Sequence, residues 1–207
     1  MVDMTAFVAA ALVILLIPGP GVIYIVTRSL GQGRRAGLVS VLGLSAGALV
    51  HVAAAAVGLS AILMTSAAAF TVVKLAGAGY LIYLGIRTLV SRAPGTATPH
   101  ASPRPLRRLF TEGVLISVLN PKIAVFFLAF LPQFVSPGQG AVTQQIVTLG
   151  LLYVGLALIT DSGYALLAGS LRQLVSDRVT QGPLPRYATG AVYIGLGVTT
   201  ALGGRRQ

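Results

Sequence analysis

The chain has 207 residues, of which 55% are hydrophobic and only 9% charged, and its mean hydropathy is +0.86. A soluble domain carries about 25% charged residues, so this chain has too little polar side chain to cover a water-facing surface. A soluble enzyme, a nucleic-acid module and a disordered tail are excluded. What remains is an integral membrane protein, and six spans of about 20 residues would use about 120 residues.

Lys and Arg number 15 against 4 Asp and Glu, a net charge of +11. In a membrane protein such an excess fits the anionic headgroups of the cytoplasmic leaflet, which hold basic loops on their own side. No nucleic-acid partner is expected. Thirteen of the basic residues are Arg, beside abundant Ala and Gly, a usage that hints at a GC-rich bacterial genome. Cys is absent, so there is no disulfide framework and no thiolate metal or redox chemistry.

The N-terminal segment is a poor signal peptide: its leading charge is Asp3, and its apolar run ends in Pro18-Gly19-Pro20-Gly21. It reads as a retained first span over Met4–Thr27. Residues 36–73 are 38 uncharged positions, too many for one helix, and hold span two and the start of span three. The turn between them falls near Met64–Ala69, and span three runs through Lys74 to about Thr88. Span four is Gly113–Phe134, interrupted by Asn120-Pro121-Lys122. Span five is Ile146–Leu171, with Asp161 inside it, and Tyr187–Gly204 is a short sixth.

Basic residues set the orientation. Arg28, Arg34 and Arg35 follow span one; Arg87, Arg92, Arg104, Arg107 and Arg108 follow span three; Arg172, Arg178 and Arg186 follow span five. The opposite side has only Arg205 and Arg206. Eleven against two predicts cytoplasmic loops and both termini outside. Residues 93–105, rich in Pro, Ala, Thr and Ser, read as a cytoplasmic linker between a first three-helix repeat, 1–92, and a second, 106–207.

The expected fold is therefore an all-α polytopic membrane protein, its six transmembrane helices forming two inverted three-helix repeats. An odd number of spans per half turns the second half upside down. Gly77-Ala78-Gly79-Tyr80 of span three echoes Gly190-Ala191-Val192-Tyr193 of span six, and the break in span one faces that in span four. Inverted repeats with interrupted helices at matching positions point to the substrate site of a secondary transporter.

Each proline of Pro18-Gly19-Pro20-Gly21 lacks an N–H and clashes with the carbonyl four residues back, near Ile14 and Leu16. Such carbonyls cost several kcal/mol in hydrocarbon unless something satisfies them. They suit an ammonium group, and the following half-helix N-terminus suits a carboxylate; an amino acid carries both. The alternative is a packing kink satisfied by neighbouring helices. In the second break, Pro121 frees the carbonyl of Ser117, Asn120 donates and accepts, and Lys122 brings a cation near mid-span. A Lys at a helix centre costs about 2.5–3.5 kcal/mol and needs a partner. Asp161, a substrate carboxylate and loose backbone carbonyls are the alternatives.

Asp161 is the one acid deep in a span and the leading proton carrier; His51 is the second candidate, histidine being the residue type that ordinarily changes charge close to neutral pH. A lone His among Ala and Val also serves as an interhelical hydrogen-bonding group. Lys74 is placed to snorkel to the outer interface. Glu112, at the cytoplasmic end of span four among arginines, reads as an interfacial ion pair. There is no metal-ligand spacing, nucleotide loop or Ser/His/Asp arrangement, so no catalytic residue, metal or cofactor is expected and uphill transport must draw on an ion gradient.

The segments 17–51, 74–89 and 110–135 together resemble the LysE/RhtB family of bacterial amino-acid exporters. The signature is the Pro-Gly-Pro of span one, the Gly-Tyr-Leu run of span three and the Asn-Pro-Lys of span four, in that order. Matching positions are Pro18, Gly19, Pro20, Gly31, Gly33, Gly37, Gly77, Tyr80, Leu81, Gly85, Asn120, Pro121, Lys122, Pro132 and Phe134. Gly21 stands where the family often has Asn or another polar residue, which removes a side-chain donor from the break.

The resemblance implies efflux of amino acids or close derivatives across the bacterial cytoplasmic membrane, driven by the proton gradient. Substrate would bind among Pro18, Gly19, Pro20, Gly21, Asn120, Pro121 and Lys122. Asp161, with His51, would carry the proton. The expected partners are the amino acid, protons and anionic lipid at the Arg loops, with a homo-oligomer left open. Two other classes compete. A membrane-embedded enzyme would need a converging acid, base and nucleophile, whereas a non-transporting scaffold would not need two broken helices bearing polar residues.

Overall fold

The computed structural model describes residues 4–59 and 104–171, together with the single positions 72, 75, 79, 83 and 86. Spans three and six otherwise lie outside the described residues, as do Lys74, the turn near Met64–Ala69, residues 93–103 of the linker and every Arg beyond position 108. The described part is helical, with no strand.

Helix α1 (Met4–Leu16) is apolar on every face, as a lipid-embedded helix is. The chain then breaks at Pro18-Gly19. Gly19 takes an extended conformation (φ −118°, ψ −172°), and α2 (Pro20–Gln32) starts with Pro20 in its first turn, where the missing N–H is not needed. The two helices are bent by 54°. Gly33 joins α2 to α3 (Arg34–Ala54) with a φ of 89°, a backbone region open mainly to glycine, so spans one and two meet in a one-residue corner. α3 runs on into a π-helical turn, Ala55–Leu59.

The second half repeats the device. Helix α4 (Leu106–Val118) ends before Asn120, an extended N-cap whose Oδ1 accepts from the backbone N–H of Lys122 at 3.0 Å. Pro121 opens the short helix α5 (Pro121–Val125), which continues through a π turn (Phe126–Phe130) and a 3-10 turn (Leu131–Phe134). The bend across this break is 45°. Helix α6 (Val142–Ser170) is unbroken for 29 residues, about 43 Å at 1.5 Å per residue, longer than the ~30 Å hydrocarbon core.

The helix ends differ from the spans read in the sequence. The first pair continues past Thr27 to Gln32, α4 begins at Leu106 rather than Gly113, and α6 begins at Val142 rather than Ile146. Hydropathy marks where hydrocarbon ends. The backbone ladder ends only at a residue that cannot continue it, here Gly33 and Pro105.

Two contacts hold these helices together. An aromatic cluster of Phe7, Phe126, Phe127, Phe130 and Tyr153 joins α1, the α5 segment and α6, with Phe126 stacked on Tyr153 at 4.2 Å. The seam between α3 and α4 is built on glycine. A Cβ at Gly43 would overlap the Phe110 carbonyl, one at Gly47 would meet the Val114 carbonyl at 2.7 Å, and one at Gly113 the Ser40 carbonyl at 2.9 Å. Leu115, Leu119, Ile159 and Leu167 point outward and exposed. An apolar exterior of this kind faces lipid.

Candidate functional site

The two breaks meet. Lys122, on the first turn of α5, is buried and donates its Nζ to the Ile17 carbonyl at 2.8 Å. Ile17 sits between α1 and Gly19, and its carbonyl points away from any helical ladder. An ammonium group thus sits on the span-one carbonyls, but it belongs to Lys122. Of the partners considered for this lysine, the backbone carbonyl is the direct one. No Lys122–Asp161 ion pair forms within 4.0 Å among the described residues.

The carbonyls four residues before the first-turn prolines are bonded from other helices, that of Ser117 beside a local bond from the Asn120 N–H at 3.0 Å. Tyr164 Oη of α6 donates to Leu16, four residues before Pro20, at 2.8 Å. His51 Nε2 of α3 lies 3.1 Å from the carbonyl of Ser117, four residues before Pro121. An acceptor of that kind requires the proton on Nε2. The His51 ring also stacks on Phe127 at 6.1 Å between centroids. Ile14, below Pro18, accepts from the N–H of Ile17 at 3.3 Å.

Between the breaks lies a cavity of about 40 Å³, lined among others by Gly19, Gly21, Ser45, Asn120, Lys122, Tyr153 and Asp161. Lys122 and Asp161 face one space, from α5 and α6, and Asn120 (5% exposed) forms part of its wall. Pro18, Pro20 and Pro121 shape the breaks without lining the cavity, and His51 lies outside its wall. A water needs about 10–15 Å³ measured this way, so the space admits two or three waters and is too small for an amino acid.

Three participants went unread in the sequence. Tyr164 lies three residues after Asp161, on the same helix face, and that spacing was a usable signal. Ser45 and the Ile17 carbonyl gave none, because a serine in a run of Ala, Gly and Leu looks like packing and a carbonyl has no letter.

At the far end of the same described helices lies a charge cluster. Glu112 of α4 pairs with Arg28 of α2 at 3.4 Å, with Arg108 at 3.0 Å and with Arg104. Tyr24 Oη donates to the Leu109 carbonyl at 2.9 Å and to Glu112 at 3.2 Å. Gln32 Nε2 donates to the Arg104 carbonyl at 3.0 Å, and Arg34 donates to Ser170 at 2.7 Å. The described Arg residues therefore share the end formed by α2, α3, α4 and the close of α6. Arg28 is buried, its guanidinium lies over the Tyr24 ring, and its Nε and Nη1 have no hydrogen-bond partner among the described residues.

An apolar exterior and two broken spans that meet at one cavity holding Lys122, Asn120 and Asp161 describe a polytopic helical membrane protein. The chain belongs to the LysE type translocator family, which it matches over residues 12–204. It is 33% identical over 196 residues to an uncharacterised membrane protein of Vibrio cholerae, covering 95% of each chain. It is 35% identical over 165 residues to a homoserine/homoserine lactone efflux protein of Salmonella typhimurium, covering 79% of each chain. A membrane protein of Bacillus subtilis, YrhP, is 27% identical over 217 positions, 97% of this chain and 99% of that one. No solved structure matches the chain.

Proposed function

We propose that this protein exports amino acids or close derivatives across the bacterial cytoplasmic membrane, in exchange for protons and by alternating access. The observation that carries the reading is the meeting of the two breaks, with the Lys122 ammonium on the Ile17 carbonyl and Lys122 and Asp161 lining one small cavity. Family membership and the efflux function named for the Salmonella relative support the direction and the substrate class.

The site pairs groups that a zwitterion can exchange. A substrate carboxylate takes the Lys122 ammonium, helped by the N-terminal dipole of α5, and the substrate ammonium takes over the Ile17 carbonyl and faces Asp161. The Lys122 ammonium keeps a partner throughout, the Ile17 carbonyl and then the substrate carboxylate, so it is not left bare in a medium where that costs several kcal/mol. A proton reaching Asp161 from outside removes its negative charge and weakens its hold on the substrate ammonium. Release outward is thereby tied to proton entry. His51 caps the Ser117 carbonyl and does not line the cavity, so we assign the coupling to Asp161 and a structural part to His51.

The caps support an inverted repeat of residues 1–92 and 106–207, joined by the linker 93–105. Span five caps the break of span one through Tyr164, and span two caps the break of span four through His51. Each cap lands four residues before a first-turn proline. A cavity of about 40 Å³ must widen to admit substrate. The glycine seam between α3 and α4 joins the two halves too closely to slide, so it acts as the pivot while the breaks open. Arg loops at the Glu112 end face the cytoplasm and its anionic lipid.

The test is release of a panel of labelled amino acids from proteoliposomes under an imposed pH gradient. Release of a subset, collapsed by a protonophore and recovered chemically unchanged, is the expected result and excludes an enzyme. If no amino acid is released, the reading fails.

A further inference from the structure

Among the described residues, six buried side-chain polar atoms have no hydrogen-bond partner, and four of them crowd the end of one helix. They are Nε and Nη1 of Arg28, Oγ of Ser29 and Oε1 of Gln32, all in the last turns of α2. Each unpaired group raises the energy of the arrangement that buries it, and water would restore what is lost. Long side chains hold α2 in place against that cost. Tyr24 Oη reaches the Leu109 carbonyl at 2.9 Å and Glu112 at 3.2 Å, Arg28 pairs with Glu112 at 3.4 Å, and Gln32 donates to the Arg104 carbonyl at 3.0 Å. The α3–α4 seam, by contrast, is backbone against backbone. One contact is fixed and the other can be released.

Both ends of α2 are glycine corners. Gly19 precedes its first turn at the 54° bend, and Gly33 follows its last turn with a φ of 89°. Near Gly33 the helix lies tight on α3, where a Cβ at Gly37 would overlap Ser29 Oγ. At the other end Gly21 and Val22 line the cavity, and a Cβ at Gly21 would make only ordinary contact with Leu44. Ile25, one turn further on, joins Val41, Leu44 and Ala165 in a small apolar cluster. Along α2 the order is therefore cavity wall, apolar plug, polar contact.

We propose that α2 is the gate between the cavity and the arginine-rich end, swinging about Gly19 and Gly33 when Tyr24, Arg28 and Gln32 release the α4 side. The proposal rests on the export reading above and assigns its moving part. Closing buries Arg28 and Gln32 incompletely satisfied and gains the contacts to Glu112 and Leu109. Opening loses those contacts and returns the unpaired atoms to water. Opposed terms of this kind keep two positions close in energy, as an element that must visit both requires. Moving α2 withdraws Val22 and Ile25 together, so the small cavity widens toward the end from which substrate enters.

The absence of Cys allows the motion to be read directly. Val22→Cys places one thiol on the cavity wall, and its rate of modification by a small charged methanethiosulfonate is measured in inside-out vesicles, where the arginine-rich end faces the reagent. Right-side-out vesicles run in parallel keep the result readable if the chain lies the other way. Tyr24→Phe removes the hydroxyl contacts and Glu112→Gln the ion pairs. Each should raise the modification rate roughly three- to tenfold, the shift expected when about one hydrogen bond made only in the closed position is lost. Tyr24→Phe serves if the Glu112 variant inserts poorly. The control is Val52→Cys, buried in the aromatic-rich cluster on the other side of the cavity, whose rate should not change. Unchanged modification of Val22→Cys in both variants, or an equal rise at Val52→Cys, overturns the gate and leaves export standing. Release of no amino acid from the proteoliposomes overturns export, and a gate on its path with it, whatever the modification rates.

Discussion

At the scale of single residues, Lys122 has two duties that substitution can separate. It donates to the Ile17 carbonyl at 2.8 Å and, on the proposed exchange, receives the substrate carboxylate. Lys122→Met keeps the length of the side chain but removes the charge, so the variant should reach the membrane yet lose at least about tenfold in efflux rate, the equivalent of about 1.4 kcal/mol. Efflux at the native rate from a normally inserted variant would sink the role assigned here. His51 gives the opposite expectation. Its contact is a donated N–H, which Gln also supplies, so His51→Gln should retain proton-driven efflux, whereas His51→Leu should lower the detergent-solubilised Tm by an amount corresponding to about 0.6–1.7 kcal/mol. If His51→Gln abolishes the protonophore-sensitive part of efflux, the ring titrates in the mechanism after all.

At the scale of helices, the α3–α4 seam is where shape decides stability. Gly43 lies against the Phe110 carbonyl with no space for a Cβ, and both sides of the contact are backbone, which cannot rotate away. Gly43→Val should therefore force the helices apart and cost about 1–3 kcal/mol or more, read as a lower Tm or a poor yield of monodisperse protein. The charge cluster makes a related prediction. Glu112 is the acid facing Arg28, Arg104 and Arg108, and Arg28 is buried. Glu112→Gln leaves that guanidinium without its counter-charge and should destabilise by about 1–3 kcal/mol, an effect that adding Arg28→Gln should partly reverse in a double-mutant cycle.

At the scale of the molecule, the proposed orientation can be tested directly because the chain has no Cys. A single cysteine introduced at Arg107 or at Gln139 is a unique reporter at one or other end of the described helices. Gln139 lies in the short turn Pro137–Gln139 between the α5 segment and α6, whereas Arg107 lies in the first turn of α4. In intact cells a membrane-impermeant maleimide should label Gln139→Cys and spare Arg107→Cys until the membrane is opened. Labelling in the reverse order would place the arginine-rich end outside, and the proposed direction of transport would have to be rebuilt.

Much of this protein is fixed by local chemistry that the letters carry directly. Low charge and high hydropathy dictate a membrane protein because a folded chain of this composition has no way to cover itself in water. Pro18-Gly19-Pro20 and Asn120-Pro121 dictate broken helices because a proline inside a helix removes a donor and collides with the preceding turn, so the helix must restart with it in the first turn. The helix ends were less legible, since residues such as Arg28 and Arg108 leave the hydrocarbon without leaving the helix. Tertiary structure decided which group answers each broken carbonyl. Nothing near Lys122 in the sequence says that its ammonium rests on Ile17, 105 residues away, or that Tyr164 and His51 cap the two breaks from opposite halves. Those outcomes depend on distances between helices, which packing sets and local sequence does not.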